Sequence, residues 1–242
     1  MTNRVAIIPA RGGSQRIPRK NLREFNGVPI LARVIALAQE TGLFADIVVS
    51  TDDAEIADLA VLAGASVPEL RSPSLADHHT PVAPVIADAI DKMSMPSDLQ
   101  TDCVLFATAV LLQPSDVAAA IGKFEALQGF DHLMGVCRHP APIERAWRRT
   151  IDGGAEMVEP VHRLTRSQDL APAFYDVGQI YVSRPSTWTE IANGAQPRTY
   201  LHELPATRVV DIDNEEDWRL AELRARTIFT DRFPGATDEP AR

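Results

Sequence analysis

The sequence predicts an α/β protein built on a three-layer, doubly wound, mostly parallel sheet. Residues 4–127 alternate short apolar strands with amphipathic helices, the pattern of a parallel sheet covered on both faces. The chain has 242 residues, 45% of them hydrophobic, enough for one domain with a substantial core. Four prolines interrupt the alternation within residues 138–176, which predicts an inserted, strand-rich arm. We therefore expect a single domain over residues 1–230 and a mobile polar tail at 231–242.

Each predicted element rests on a local signal. Strands are expected at the apolar runs 5–8, 47–49, 103–106 and 178–182, with a last strand at 207–213 that ends in acid. Helices are expected from Pro29 to Gly42, from Asp52 or Asp53 to Gly64, at 81–94, from Ser115 to 127, from Ser186 to 193, and at 215–229. Since ligands bind at the carboxyl ends of parallel strands, Arg11, residues 50–52 and Thr108 should meet in one crevice.

The composition argues against several classes of protein. A formal net charge of -9 disfavours nonspecific binding to nucleic acid. Cys103 and Cys137 form no metal-binding pattern and are interpreted as buried thiols. The sequence shows neither a signal peptide nor an apolar run of 18 residues, so we expect a cytoplasmic protein without a membrane partner.

A glycine-rich basic loop follows the first strand. Gly12 and Gly13 can direct backbone amides at an anion. Four cations fall within ten residues here, although the chain as a whole is acidic: Arg11, Arg16, Arg19 and Lys20. The spacing matches neither the P-loop, since Lys20 comes seven residues after Gly13, nor the dinucleotide fingerprint. The loop predicts a phosphate site, and the alternative is a basic surface loop.

Two carboxylates near the end of the chain form the second candidate site. Asp211 and Asp213 are two residues apart on a predicted strand, so both side chains should share one face. They would repel each other without a cation between them, and Mg²⁺ prefers a few carboxylates completed by substrate phosphates. The alternative is a solvated strand end whose Asp213 or Asn214 caps the next helix.

Two stretches of the loop resemble the nucleotide-binding signature of the CMP-sugar synthetases. They are Ala10-Arg11-Gly12-Gly13-Ser14 and Ile17-Pro18-Arg19-Lys20-Asn21, with Gln15 and Arg16 in place of the Lys and Gly frequent in sialic acid enzymes. The run from Asp211 to Asp217 is similar to the family's metal-binding element, while residues 50–53 and 70–77 resemble two further elements. The resemblance covers residues 4–228 and implies a nucleotide-diphospho-sugar transferase-like fold. It also implies that CTP contacts Ala10, Arg11, Gly12, Gly13, Ser14, Lys20, Asn21, Arg71 and Thr108.

Three further segments resemble the pseudaminic acid branch of that family. Residues 106–109 read Phe-Ala-Thr-Ala, where sialic acid synthetases carry Leu-Gln-Pro-Thr-Ser. Residues 166–170 and 175–181 resemble the branch's Arg-Ser-Gln-Asp-Leu and Asp-Ala-Gly-Gln-Phe-Tyr elements. An Arg can bind a sugar carboxylate bidentately while amide, acid and phenol groups satisfy hydroxyls. The resemblance implies sugar contacts from Arg166, Gln168, Asp169, Gln179 and Tyr181; without it, the first segment would read as a polar loop.

The function implied is transfer of CMP from CTP to a nine-carbon 2-keto sugar acid, with release of pyrophosphate. Lys20, Arg11 and Asp211 are the expected catalytic residues, and Asp211 and Asp213 the expected Mg²⁺ ligands. The family's arm usually reaches a partner subunit, so a homodimer is expected. The alternatives are the same chemistry on N-acetylneuraminate, legionaminate or Kdo, a CTP-binding regulatory protein without turnover, and a glycosyltransferase, which usually carries Asp-x-Asp in mid-chain.

Overall fold

A six-stranded sheet forms the centre of the computed structural model, which describes residues 3–77, 79–93, 99 and 101–229. The predicted tail at 231–242 lies outside these residues. The strands are β1 (Arg4–Pro9), β2 (Glu24–Phe25), β3 (Val28–Pro29), β4 (Asp46–Ser50), β5 (Thr101–Leu105), β6 (His132–Arg138), β7 (Trp147–Arg149), β8 (Ala155–Met157), β9 (Phe174–Ser183) and β10 (Thr199–Glu203). The helices are α1 (Ile30–Thr41), α2 (Ala54–Leu62), α3 (Val82–Lys92), α4 (Pro114–Ala126), α5 (Pro185–Ala192) and α6 (Glu215–Ile228).

The sheet is mostly parallel, as predicted. Its strand order is β10-β6-β9-β5-β1-β4, in which β1 pairs in parallel with β4 and β5, and β10 pairs in parallel with β6. Strand β9 runs antiparallel to both of its neighbours, β5 and β6. As a result, the amino-terminal half of β9 lies at the same edge of the sheet as the carboxyl ends of the parallel strands.

Helices cover both faces of the sheet. The larger core joins one face to the buried sides of α1, α2, α4 and α6, and includes Ile8 and Leu105. The smaller core joins the other face to α3 and α5, and includes Ile7 and Val104. Neighbouring residues of one strand thus serve opposite cores, which is why the inner strands read as continuous apolar runs.

Several helix ends follow the sequence signals, but two predicted caps are wrong. Helix α1 ends at Gly42, whose φ of 64° is the left-handed cap expected of glycine. Helices α4 and α5 begin one residue before the predicted caps Ser115 and Ser186, with a proline as the first helical residue in each. Proline fixes the φ angle that a first helical residue needs, and so sets both starts.

The predicted last strand at 207–213 is wrong. Residues 206–208 form a 3₁₀ turn and 209–213 carry no strand, although Val209, Val210 and Ile212 are buried. Strand β10 instead occupies the sheet edge beside β6, and the apolar residues after it pack onto the core as an extended loop.

The segment between β6 and β9 forms the arm. It contains the small antiparallel hairpin of β7 and β8 and short 3₁₀ turns at 143–145, 160–162 and 167–169. The arm is poorer in strand than predicted, because its prolines cannot donate to a ladder. The division into one domain and a tail stays a prediction.

Among the residues described, no helix combines the length and the apolar character needed to cross a bilayer.

Candidate active site

A cavity of about 400 Å³ opens at the carboxyl ends of β1 and β5. The crevice that parallel topology predicts exists at that edge, and Arg11 and Thr108 line it as predicted, whereas residues 50–52 do not. Its lining consists of Pro9, Arg11, Lys20, Asn21, Arg71, Leu75, Asp77, Thr80, Val82, Val85, Phe106, Ala107, Thr108, Gly178, Asp211 and Asp213.

The cavity brings together seven residues that the sequence analysis singled out. They come from four separate stretches of the chain: Arg11, Lys20, Asn21, Arg71, Thr108, Asp211 and Asp213. Ala10 is fully buried, and Gly12, Gly13 and Ser14 lie in the loop outside the cavity lining. Arg11 and Lys20 of the first charged motif thus line the same cavity as Asp211 and Asp213 of the last.

The glycine-rich loop is held by side chains around it. Asp52 Oδ1 accepts the Gly12 amide at 2.9 Å, and the buried Asn21 donates Nδ2 to the Arg11 carbonyl at 2.8 Å. Arg19 adopts a left-handed conformation with φ of 55° and pairs with Asp53. The Gly12 amide, predicted to cradle phosphate, is therefore engaged within the protein.

Lys20 joins this loop to the acidic stretch at the other end of the chain. Its Nζ donates to the Ile212 carbonyl at 2.9 Å. Burial lowers the pKa of Lys20, an effect that the charges of Asp213 and Asp211 oppose. The ammonium is thus fixed at the cavity wall, beside the carboxylates that favour its charged form.

The two carboxylates face the cavity although their segment is no strand. Partial burial raises the pKa of Asp211, and the charge of Asp213 raises it further. Asp213 pairs with Arg16 at 2.6 Å, and its amide donates to Asp217 Oδ2 at 2.9 Å. Asn214, not Asp213, caps α6, which settles that prediction.

The acid pair has the chemistry of a Mg²⁺ site. Both groups are carboxylates in the cavity, and burial first and the charge of Asp213 second raise the pKa of Asp211, effects that a nearby cation would offset. Within the described ranges, no three His, Cys, Asp or Glu side chains gather as a metal cluster. Two carboxylates with phosphate oxygens match the way proteins commonly hold Mg²⁺.

Arg71 is held inside the protein and does not form the surface ion pair considered as the alternative. The residue is 7% exposed, and it donates Nη2 to the Ser50 carbonyl at 2.6 Å and Nε to Ser50 Oγ at 3.2 Å. Burial lowers its pKa. Arg71 therefore presents a fixed, partly desolvated guanidinium to the cavity.

Asp77, Thr80 and Gly178 are among the lining residues that were not assigned a role from the sequence. The carbonyl of Asp77 accepts Arg11 Nη1 at 3.3 Å, which connects the loop after Arg71 to the glycine-rich loop. Asp77 and Gly178 fall inside motifs that the resemblance covers, so a signal existed for them. Thr80 lies beyond those motifs.

The residues predicted to bind the sugar are not gathered at the cavity. Arg166 and Asp169 pair with each other at 2.8 Å on the exposed arm, which also carries Gln168. Gln179 is fully buried, and Tyr181 is 8% exposed with its hydroxyl donating to Asp176 at 2.7 Å. Their roles in sugar binding stay predictions.

Comparison with known proteins gives consistent matches. A family model described as Cytidylyltransferase matches residues 5–204. The chain is 34% identical to the pseudaminic acid cytidylyltransferase of Campylobacter jejuni (strain 81-176), covering 90% of this chain and 94% of that protein. It is 33% identical to the CMP-N,N'-diacetyllegionaminic acid synthase of Legionella pneumophila, with the same coverage.

Solved structures show the same fold at low sequence identity. A CMP:2-keto-3-deoxy-manno-octonic acid synthetase complexed with CTP matches with a TM-score of 0.67 at 17% identity, covering 95% of this chain and 99% of that one. A 4-diphosphocytidyl-2C-methyl-D-erythritol synthase from Anaerococcus prevotii matches with a TM-score of 0.59 at 9% identity, covering 92% and 98%. The predicted fold class is confirmed.

Proposed function

Because this chain belongs to the cytidylyltransferase family, we propose that it transfers CMP from CTP to a nine-carbon 2-keto sugar acid and releases pyrophosphate. Pseudaminic acid is the preferred acceptor in this proposal. One observation carries the proposal: Arg11 and Lys20 meet Asp211 and Asp213 in a single cavity at the carboxyl edge of the sheet. Fixed cations offset the charge of a transferred phosphoryl group, and a carboxylate pair can hold Mg²⁺ together with phosphate oxygens. The name of the Campylobacter relative supports the choice of acceptor.

The chain's own cations position the nucleotide. Arg11 and Lys20 bind phosphate oxygens, and Arg71, which is held by Ser50 and lines the same cavity, also contacts the nucleotide. Asn21 and Thr108 line the same cavity and complete the nucleotide site. The sugar hydroxyl attacks the α-phosphate in line, so catalysis consists mainly of positioning and of offsetting charge on the transferred group.

Asp211 and Asp213 would hold Mg²⁺ together with phosphate oxygens. The bound ion would neutralise phosphate charge and polarise the α-phosphate. Support comes from the carboxylate pair in the cavity and from the raised pKa of Asp211. In this arrangement Lys20 keeps residues 211–213 close to the glycine-rich loop through its bond to the Ile212 carbonyl.

We also propose that the protein is a homodimer and works in the cytoplasm. The arm supports the dimer, because it exposes large apolar side chains that a second copy would cover: Ile143, Trp147, Ile151, Val161 and Leu164. The two cysteines support the compartment, because both are free buried thiols.

The test is pyrophosphate release from CTP and Mg²⁺ with pseudaminic acid, N-acetylneuraminate, legionaminate and Kdo assayed in parallel. Release with pseudaminic acid alone is the expected result. Release with legionaminate alone would favour the chemistry named for the Legionella relative, which has nearly the same identity. CTP binding without release from any acceptor would contradict the proposal and favour a regulatory nucleotide-binding protein.

A further inference from the structure

The acidic segment at residues 209–213 lies in the core without the hydrogen bonds of a sheet. Val209, Val210 and Ile212 are buried, yet no strand includes them. Buried backbone carbonyls need a donor, because an unpaired one costs free energy comparable to a lost hydrogen bond. The position of the carboxylates therefore depends on whatever supplies those donors.

Side chains from three other elements supply them. The carbonyl of Val209 accepts Arg224 Nη1 at 2.7 Å, that of Val210 accepts Gln179 Nε2 at 3.2 Å, and that of Ile212 accepts Lys20 Nζ at 2.9 Å. Asp211 lies between the last two. The donor from Gln179 is the one nearest to Asp211 that the proposed nucleotide site does not already use.

Gln179 is itself fixed. Its side chain is 0% exposed, its carbonyl accepts the Phe106 amide at 3.0 Å, and the next residue, Ile180, pairs with Leu105 in the sheet. Only Nε2 can donate to the Val210 carbonyl, so the orientation of the amide is determined. Its neighbour Gly178 lines the cavity, whereas Gln179 does not.

On the proposed function, we infer that Gln179 is a positioning residue that holds the backbone before Asp211 and so sets the carboxylate against the bound nucleotide. It acts from β9 through the Val210 carbonyl and does not contact the sugar. The inference also gives a reason for a buried amide whose hydrogen bonds are incomplete. Among the described residues, Gln179 Oε1 is buried without a partner, so an amide is kept here although half of it is unsatisfied.

The test compares Gln179→Met with Gln39→Met. Gln39 makes the same kind of bond, donating Nε2 to the Ala63 carbonyl at 2.9 Å, between α1 and the end of α2 and outside the cavity. In Gln179→Met, kcat should fall roughly tenfold, because small misplacements of reacting groups are costly, while the KM for CTP and for pseudaminic acid changes less than about twofold. Gln39→Met should keep the wild-type kcat.

Amide hydrogen exchange gives a readout that needs no turnover. In Gln179→Met, exchange in residues 209–213 should quicken by roughly tenfold while β5 and β9 stay protected. A raised KM for the sugar acid, with unchanged exchange, would instead make Gln179 a sugar contact and overturn the inference. Unchanged kcat and exchange would overturn it too. If Gln179→Met does not fold, the same kinetic and exchange measurements are made on Gln179→Asn, whose side chain is one methylene shorter. Failure of the wild type to release pyrophosphate would defeat the proposed function and leave the exchange result standing.

Discussion

Lys20 is the residue through which the two charged motifs of the cavity meet. Its ammonium lies in the partly buried wall, with Asp211 and Asp213 as the charges that favour protonation. A charge fixed in such a place interacts with phosphate more strongly than a solvated one, and needs no reorganisation during the reaction. Lys20 should therefore contribute to turnover more than to the fold.

Replacing Lys20 by alanine tests this role. In Lys20→Ala, kcat should fall by roughly 10²–10³, the size of a single electrostatic contribution to a transition state. Lys123→Ala is the control, because Lys123 lies on α4 against the Tyr200 ring and outside the cavity. Steady-state pyrophosphate release measures both variants. Turnover close to wild type in Lys20→Ala would remove Lys20 from the mechanism.

Asp102 is a buried acid away from the cavity. It is 0% exposed, Trp188 Nε1 donates to its Oδ2, and burial raises its pKa to about 7. In the unfolded chain its pKa is the ordinary 3.8, so folding takes up a proton between these values. The associated stability is fully present below pH 3.8 and is lost as the pH rises through about 7.

Asp102→Asn should abolish this pH dependence, since asparagine accepts the same Trp188 bond without ionising. Between pH 5 and pH 7, the free energy of unfolding of the variant should rise relative to wild type by roughly 2 kcal/mol. Urea unfolding at each pH measures the difference. His132, whose pKa burial lowers to about 4, titrates in both proteins and cancels. The exposed Asp91, changed to Asn, is the control, and a pH-independent difference for Asp102→Asn would contradict the prediction.

At the scale of elements, the glycine-rich loop is packed directly onto the start of α2. Asp53 caps that helix by accepting the amides of Glu55 and Ile56, and it also pairs with Arg19. A Cβ placed on Gly12 would lie 2.6 Å from Asp53 Oδ2 and 2.9 Å from its Cβ. The close approach of Gly12 therefore couples the loop's position to the cap.

Gly12→Ala should destabilise the protein, while Gly13→Ala should not. A Cβ on Gly13 has nothing within 4 Å, so the two substitutions match in chemistry and differ in space. Overpacking at Gly12 should cost roughly 1–3 kcal/mol, because Asp53 must leave its cap. The melting temperature should then fall by several degrees in Gly12→Ala and stay near wild type in Gly13→Ala. Equal melting temperatures would contradict the packing argument.

The elements that the sequence predicts best are those whose signals are local. Gly42 and Asp53 mark helix ends through backbone conformation and capping bonds within a few residues, and both predictions are confirmed. The prediction of the last strand was wrong, because an alternation of apolar residues indicates only that they are buried. It does not indicate whether a strand at the sheet edge is available to pair with them. Strand β10 takes that edge, so Val209, Val210 and Ile212 are buried in a loop.

The cations and acids of the cavity could be predicted, because Arg11, Lys20, Asp211 and Asp213 belong to charged motifs that are visible in the sequence. The hydrogen bonds that hold them in place could not be predicted, because they join residues far apart in sequence. Gln179 donates to the Val210 carbonyl, and Asp52 accepts the Gly12 amide. Nor could the burial of Gln179 be predicted from its motif. It follows from the antiparallel insertion of β9 between β5 and β6.

At the scale of the whole molecule, positive charge is unevenly distributed. The formal net charge is -9, yet Arg11, Lys20 and Arg71 converge on one cavity. Asp77, Asp211 and Asp213 line the same cavity, so its formal charges balance within a protein that is acidic overall, and an anion is repelled less there than by the rest of the protein. Both proposed substrates, a triphosphate and a sugar acid, are anions, so the charge distribution agrees with the proposed reaction.

The arm has few features within a single chain that would stabilise it. Its hairpin has three-residue strands, and an isolated hairpin is marginally stable in water. Trp147 is 63% exposed on it, and Leu164, further along the arm, is 92% exposed. Aromatic side chains of this kind are often the anchors of protein interfaces. The arm therefore fits an interface with a second copy.

Trp147→Asp should weaken that dimer at least tenfold, because a buried tryptophan anchor is worth more than 1 kcal/mol. Leu62→Asp is the matched control, since Leu62 on α2 is 86% exposed and lies outside the arm. Sedimentation equilibrium of both variants and the wild type gives the dissociation constants. Wild-type protein that stays monomeric at micromolar concentration would refute the dimer. A dimer that Leu62→Asp breaks and Trp147→Asp leaves intact would place the interface away from the arm.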